Sequence, residues 1–224
     1  MGVSAARWVV FDLDGTLIES EQVWGDVRRA FTIGNGGRWT DAAKRDMIGM
    51  RTADWARYMH DGLGVALAPD EIARSVVAGV AAALDPVPVL PGADAALARL
   101  ARSFPLGLAT SAALPVAQAV LARTGWADEF KVVVSADDVA RGKPAPDVYL
   151  RALALLGAEA VRSAAVEDSA NGIRSAHAAG LAVIAIPNRA FPPDAAALAL
   201  ATSVLPGLDA LDERAVDAAI ANRA

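Results

Sequence analysis

The chain has 224 residues, 54% hydrophobic and 21% charged, enough to bury a substantial core as one large domain or as a domain with a smaller one inserted. Its 21 Lys and Arg against 26 Asp and Glu give a net charge of −5 with no Lys/Arg-rich run, which speaks against nucleic acid or an anionic membrane as a partner. No cysteine is present, so disulfides, thiolate metal sites and a cysteine nucleophile are all excluded.

The opening stretch carries one basic residue, Arg7, and a short apolar run that Asp12 interrupts, so it reads as neither a signal peptide nor a membrane span. A myristoylation start fails because Ala6 stands where Ser or Thr is required. The cytoplasm is the expected location.

The first predicted strand, Trp8 to Phe11, leads into Phe11-Asp12-Leu13-Asp14-Gly15-Thr16-Leu17. Residues two apart on an extended backbone project to the same side, so Asp12 and Asp14 can face one reacting atom. Two carboxylates there repel each other, and Mg²⁺, which takes oxygen ligands, resolves the repulsion and neutralises a substrate phosphate. One carboxylate is then free to attack phosphorus, and the other to protonate the leaving alcohol and activate a water. Gly15 permits a turn and Thr16 can bond to neighbouring backbone. The alternative is a plain turn after a strand, for which Asp-Gly is common.

From Leu17 to about Asp85 the strand pattern gives way to helical spacing, with Trp24, Trp39 and Trp55 inside it, as expected of an inserted helical bundle. Within it, Gly49 to Trp55 is predicted to be a loop-to-helix junction where Arg51 can reach a substrate hydroxyl or carboxylate, or where Arg51 is solvated and Thr52 caps the helix. Trp24 and Glu19 lie near the hinge, although a tryptophan in a helical bundle is more often core than ligand contact. Met47, Met50 and Met59 read as packing residues, and His60, like His177 further on, lacks metal spacing. The stiff Pro86-Val-Pro-Val-Leu-Pro-Gly92 is the expected return linker.

Further apolar runs follow at Leu106 to Ala109, Val132 to Val134, Ser163 to Val166 and Ala182 to Ile186, each succeeded by a helix-like stretch. Thr110-Ser111 after the first of these offers a hydroxyl and free N–H groups to phosphate oxygens, or a helix cap. In Arg141-Gly142-Lys143-Pro144-Ala145-Pro146-Asp147 a loop with two prolines holds Lys143 as a fixed ammonium, or as an exposed lysine before a helix that starts at Pro146; Arg141 takes only the solvated reading. In Val166-Glu167-Asp168-Ser169-Ala170-Asn171-Gly172, adjacent acids at a strand end suggest a metal, with Asp168 or Ser169 as cap of a helix beginning near Asn171. Pro192-Pro193 marks a loop ahead of a helix near Asp194 to Leu200. Strands alternating with helices predict a doubly wound, Rossmann-like α/β parallel sheet, residues 1–17 and 86–224, with an inserted α-helical cap, residues 18–85.

Asp12-x-Asp14-Gly-Thr, Thr110, Lys143-Pro and Glu167-Asp168, in that order over nearly the whole chain, closely resemble the haloacid dehalogenase-like superfamily. The insertion resembles the helical cap of the subgroup containing phosphoglycolate phosphatase, sugar-phosphate phosphatases and β-phosphoglucomutase. The resemblance implies Asp12 as nucleophile and metal ligand, Asp14 as general acid/base with its backbone carbonyl on the metal, Thr110 with Ser111 as phosphate binders, and Lys143 as charge stabiliser. It further implies Glu167 and Asp168 as the remaining metal carboxylates, and it makes Arg51 a candidate substrate contact. An acid two residues after the nucleophile favours phosphate esters over the dehalogenase, phosphonatase and P-type ATPase variants of the superfamily.

The histidine that accompanies the acid/base in β-phosphoglucomutase is matched here by Trp24, which favours hydrolysis over mutase action. A receiver-type signalling domain shares acids, Thr and Lys but is about half as long and lacks an insertion. A silent binding protein is disfavoured by the intact Asp12, Asp14, Lys143 and Asp168. The expected function is a Mg²⁺-dependent phosphatase of small metabolites, sugar or polyol phosphates above all, acting through an aspartyl-phosphate on Asp12 as a monomer or weak homo-oligomer.

Overall fold

The computed structural model of the chain describes residues 7–48, 50–189 and 191–223. The reading of the first six residues, and Gly49 of the junction loop, lie outside the described residues. Six parallel strands form one sheet in the order β3-β2-β1-β4-β5-β6: β1 (Trp8–Phe11), β2 (Leu106–Thr110), β3 (Phe130–Ser135), β4 (Ser163–Glu167), β5 (Ala182–Ala185) and β6 (Ser203–Val204). The first five match the five apolar runs to within two residues at either end. The two-residue β6 has no apolar signal of its own and pairs with Ile184 and Ala185 at the sheet edge.

Side-chain alternation along the strands divides the core in two, because successive residues of a strand point to opposite faces. Val9, Phe11, Leu106, Leu108, Ala164, Val166, Ala182 and Ile184 join one buried cluster with α5 (Ala93–Leu100), α6 (Leu114–Thr124) and α10 (Glu213–Ala221). Val10, Ala109, Val134, Ala165, Val183 and Ala185 join the other with α7 (Asp147–Leu156), α8 (Ala170–Ala178) and α9 (Ala195–Leu198). Helices therefore cover both faces, which is why β2, β4 up to its terminal Glu167, and β5 are apolar or small rather than alternating, and all three are buried throughout.

Among the described residues between β1 and α5 lie four helices and no strand: α1 (Glu21–Gly34), α2 (Asp41–Asp46), α3 (Thr52–Asp61) and α4 (Pro69–Ala83). The chain leaves and re-enters the sheet region through two neighbouring segments that bond to each other, Glu19 N–H to Pro88 O at 2.8 Å and Leu90 N–H to Leu17 O at 2.9 Å. The first apolar cluster also continues into these helices through Trp24, Trp55, Met59, Ile72, Val76 and Val80. Arg123 of α6 reinforces that junction by donating to the carbonyls of Ala81 and, at 3.2 Å, Leu84.

Candidate active site

Parallel-sheet geometry places every strand's carboxyl end at one edge, and the loops beyond that edge carry the polar residues. Asp12 directly follows β1 and extends its ladder, its N–H donating to Val166 O at 3.0 Å. Glu167 ends β4 and Asp168 follows it; Thr110 ends β2; Lys143 lies in the loop between β3 and α7. Distant parts of the sequence thus reach one buried cluster.

Lys143 Nζ lies 2.6 Å from Asp12 Oδ1 and 2.6 Å from Glu167 Oε1, with all three side chains almost fully buried. Glu167 accepts further bonds from Tyr149 Oη at 2.9 Å, Asp168 N–H at 3.1 Å, Ser169 N–H at 3.3 Å and Ser169 Oγ at 3.2 Å. The Ser169 hydroxyl in turn accepts from Gly172 N–H at 3.1 Å and caps α8. Thr16 Oγ1 donates to Asp168 at 3.4 Å.

One ammonium among three buried carboxyls leaves an excess of negative charge. Burial pushes Asp12 up to about 8, with Glu167 and Asp14 adding to the rise and Lys143 opposing it. Asp168 is raised well above the ordinary carboxylate range, again by burial first and then by Glu167 and Asp12. Burial alone would depress the Lys143 ammonium, but the adjoining carboxylates of Asp12 and Glu167 outweigh it and hold it above its usual value. Lys143 is therefore held charged, and the rise falls on Asp12 and Asp168, each burdened by burial and its neighbours' negative charge.

The same charge excess suits a dication. Asp12, Glu167 and Asp168 each offer an oxygen with all three atoms within 4.8 Å of one another, an all-oxygen donor set of the kind a hard cation takes. Backbone approach at this point is unusually close. A Cβ on Gly15, whose φ is +87°, would lie 2.1 Å from Asp168 Oδ2, and one on Gly172 would lie 1.8 Å from Glu167 Oε1.

The Asp14 carboxylate belongs to a different set of partners. Its Oδ1 accepts from Ser20 Oγ and from Trp24 Nε1 at 3.3 Å, and its Oδ2 from Thr110 Oγ1 at 3.3 Å. Thr110 is fully buried and also accepts from Ala112 N–H at 3.0 Å. Asp12, Asp14, Ser111, Lys143 and Asp168 line one cavity of about 430 Å³, closed on the other side by Trp24, Arg28, Met50 and Trp55 from α1, α3 and the loop before α3, and by Arg45 of α2.

Arg51 lies elsewhere. Its guanidinium bonds to Asp54 Oδ2 at 2.8 Å and to Ala140 O at 2.9 Å, while Thr52 N–H donates to Asp137 Oδ1 at 3.2 Å; none of these residues lines the cavity around Asp12. The N-cap of α3 is Arg51, so Thr52 is its first helical residue rather than its cap, and its hydroxyl is buried without a hydrogen bond. Met50 does line the cavity, besides packing on the core. Arg141 bonds Asp147 through Nε at 2.9 Å and Nη2 at 3.0 Å on the surface, consistent with a solvated role.

Several lining residues carry no motif in the sequence. Glu21 and Arg28 flank Trp24 at spacings of three and four, hence one helix face, and a charged pair on the face that carries a tryptophan is the signal that could have found them. Burial raises Glu21 to about 7, with Asp14 adding to the rise and Arg28 opposing it. Asn188 and Phe191 in the lining, and Tyr149 behind Glu167, have no comparable signal.

A profile of the haloacid dehalogenase-like hydrolases matches residues 6–180. The chain is 30% identical over 182 residues to the bifunctional riboflavin kinase/FMN phosphatase of Arabidopsis thaliana, covering 80% of this chain but only 48% of that protein, about half its length. It is 33% identical to validoxylamine A 7'-phosphate phosphatase of Streptomyces hygroscopicus subsp. limoneus, over 89% of this chain and 92% of that one. The solved structure of CbbY from Rhodobacter sphaeroides in complex with phosphate superposes with a TM-score of 0.85 at 27% identity, covering 95% and 99% of the two chains. The chain belongs to the haloacid dehalogenase-like hydrolase family and is, like its phosphatase relatives, an enzyme of the phosphoric monoester hydrolase class.

Proposed function

We propose that the protein is a Mg²⁺-dependent phosphatase of small sugar or polyol phosphates that works through an aspartyl-phosphate on Asp12. The observation that carries this reading is the buried cluster of Asp12, Lys143, Glu167 and Asp168 at the floor of a cavity whose wall also holds the second acid, Asp14. Asp12 and Asp168, with Glu167 behind them, would hold Mg²⁺, which supplies charge neutralisation between the carboxylates and the phosphoryl group.

An Asp12 carboxylate oxygen attacks phosphorus, and the bond from phosphorus to the ester oxygen breaks as the bond to Asp12 forms. Asp14 gives a proton to the departing alkoxide. A water then attacks the aspartyl-phosphate, Asp14 takes its proton, and inorganic phosphate leaves as the Asp12 carboxylate is restored. Lys143 balances the charge on Asp12 and on the phosphoryl oxygens throughout. Thr110 positions Asp14, and Ser111 offers a donor to the phosphate. Residues 18–85 act as a cap that excludes bulk water, hinged at the paired segments around Leu17 and Leu90.

Hydrolysis is favoured over phosphoryl return to a sugar because the residue beside Asp14 is Trp24. An indole N–H only donates, so it anchors the carboxylate without exchanging a proton with it. Similarity to validoxylamine A 7'-phosphate phosphatase supports a small phosphorylated metabolite as the substrate. The test is phosphate release with Mg²⁺ across sugar, polyol and glycolate phosphates. Release confined to the metal-loaded protein is expected; conversion of a hexose 1-phosphate to its 6-phosphate without release would replace hydrolysis by mutase action.

A further inference from the structure

Arg28 is a cation in the cavity with no hydrogen-bond acceptor or close carboxylate among the described residues. Only 6% of its surface is exposed, and its guanidinium stacks 4.5 Å from the Trp24 ring and 4.9 Å from the Trp55 ring. Among the described residues its Nε has no hydrogen-bond partner and no carboxylate comes within 4.0 Å. Glu21 and Asp14 act on it only at longer range, and although burial pushes it down to about 10 it remains charged at neutral pH.

A buried Nε–H without an acceptor is costly, because the bond it gives up to water is replaced by none. Cation–π packing on two indoles offsets part of that cost but acts on the ring faces, leaving the in-plane N–H groups unused. Stacked in this way the planar fork is fixed in orientation, which is what bidentate recognition of a carboxylate or phosphate requires. Arg28 lines the same cavity as Asp12 and Lys143, and the exposed Arg45 adds positive charge to the same wall.

We infer that Arg28 is a specificity residue that holds a second anionic group, a carboxylate or phosphate, at the end of the substrate remote from the transferred phosphate. Among sugar and polyol phosphates, the enzyme therefore selects those that carry a second anionic group over those whose remaining groups are all neutral. This inference rests on the phosphatase reading above for which phosphate is transferred, but not for the binding preference itself.

The test compares phosphate esters of equal carbon count ending in a hydroxyl, a carboxylate or a second phosphate, with the wild type, Arg28→Gln and Arg28→Lys. A charge-assisted bond of this kind predicts that the wild-type kcat/KM favours the anionic tails by roughly ten- to a hundred-fold. Arg28→Gln should erase that ratio and Arg28→Lys retain part of it; the better of the two anionic tails identifies the group recognised. No preference in the wild type, or an equal loss on all three esters in Arg28→Gln, would assign Arg28 to packing alone and overturn the inference. Should Arg28→Gln not fold, the wild-type and Arg28→Lys ratios decide by the same criteria. Calorimetric binding of the three esters to Asp12→Asn gives a readout without turnover: binding preference with no hydrolysis by the wild type would leave the Arg28 assignment standing and overturn the phosphatase reading.

Discussion

Glu167 accepts five hydrogen bonds, from Lys143, Tyr149, the N–H groups of Asp168 and Ser169, and the Ser169 hydroxyl. Both of its oxygens are thereby fixed, so it anchors Lys143 beneath Asp12 and leaves Asp12 and Asp168 as the freer carboxylates. Replacing Lys143 by Met would strand buried carboxyls without a counter-ion, a change that typically costs about 3–5 kcal/mol. A large fall in the denaturant midpoint of Lys143→Met is expected, and Mg²⁺ should recover part of it. The glycines set an equally local constraint. Because a Cβ at position 172 would overlap the Glu167 carboxylate, Gly172→Ala should destabilise by about 1–3 kcal/mol, while Gly36→Ala, which meets no atom within 4 Å but has a φ of +79°, carries only a backbone penalty of about 1 kcal/mol. Denaturant unfolding of the two variants side by side checks the order.

The raised Asp12 carboxyl makes a pH prediction of definite sign. Burial pushes the folded, metal-free carboxyl up to about 8 from an ordinary value near 3.8, so the folded state binds more protons between those values. The stability this group contributes is present below pH 4 and is lost as pH rises through 8. The metal-free melting temperature should therefore fall between pH 6 and pH 9, and the fall should shrink in Asp12→Asn, whose side chain does not titrate. Mg²⁺ needs the deprotonated carboxyl and should raise the melting temperature more at pH 9 than at pH 6.

At the scale of elements, the loop before α3 and the loop before α7 meet through Arg51, Ala140, Thr52 and Asp137, away from the cavity. Arg51→Ala should accordingly leave kcat/KM within about twofold, since an exposed ion pair and one bond to a carbonyl contribute little, whereas a substrate contact would show a rise in KM. Steady-state kinetics separate the two. The reason the sequence suggested Arg51 is also clear at this scale. A charged residue at the start of a helix identifies a junction, but which way it faces depends on how the helix packs, and α3 turns Trp55 rather than Arg51 toward the cavity.

The strands were legible for the converse reason. A sheet covered on both faces demands uninterrupted apolar runs, and those runs together with the polar residues after them mark both the elements and the edge where the site forms. Asp12, Asp14, Ser111, Lys143 and Asp168 reach one cavity from positions far apart in sequence because each lies in a loop beyond that edge, and Thr110, the last residue of β2, bonds to Asp14 from below. What remained illegible is the opposite wall. Helices α1 to α3 contribute Glu21, Trp24, Arg28, Arg45 and Trp55, whose inward direction follows from tertiary packing and from no local pattern stronger than a shared helix face. The edge strand β6 escaped for lack of length.

Across the whole molecule, the apolar cluster on one sheet face runs without a break into α1 to α4. The proposed core and cap would therefore differ in chain topology rather than in having separate hydrophobic cores. Thermal unfolding is expected as a single transition with calorimetric and van't Hoff enthalpies in agreement; two resolved transitions would show that the inserted helices unfold on their own. Among the described residues no helix is long and apolar enough to cross a membrane.

The proposed mechanism requires a covalent bond between substrate phosphorus and Asp12. Rapid-quench mass spectrometry of the Mg²⁺-loaded enzyme during turnover of a phosphate ester, followed by peptide mapping, tests it most directly. A mass increase of one HPO₃ unit on the peptide containing Asp12, absent from Asp12→Asn and decaying as phosphate appears, is the predicted result. Phosphate release by an enzyme whose Asp12 peptide never gains that mass, or undiminished release by Asp12→Asn, would contradict it.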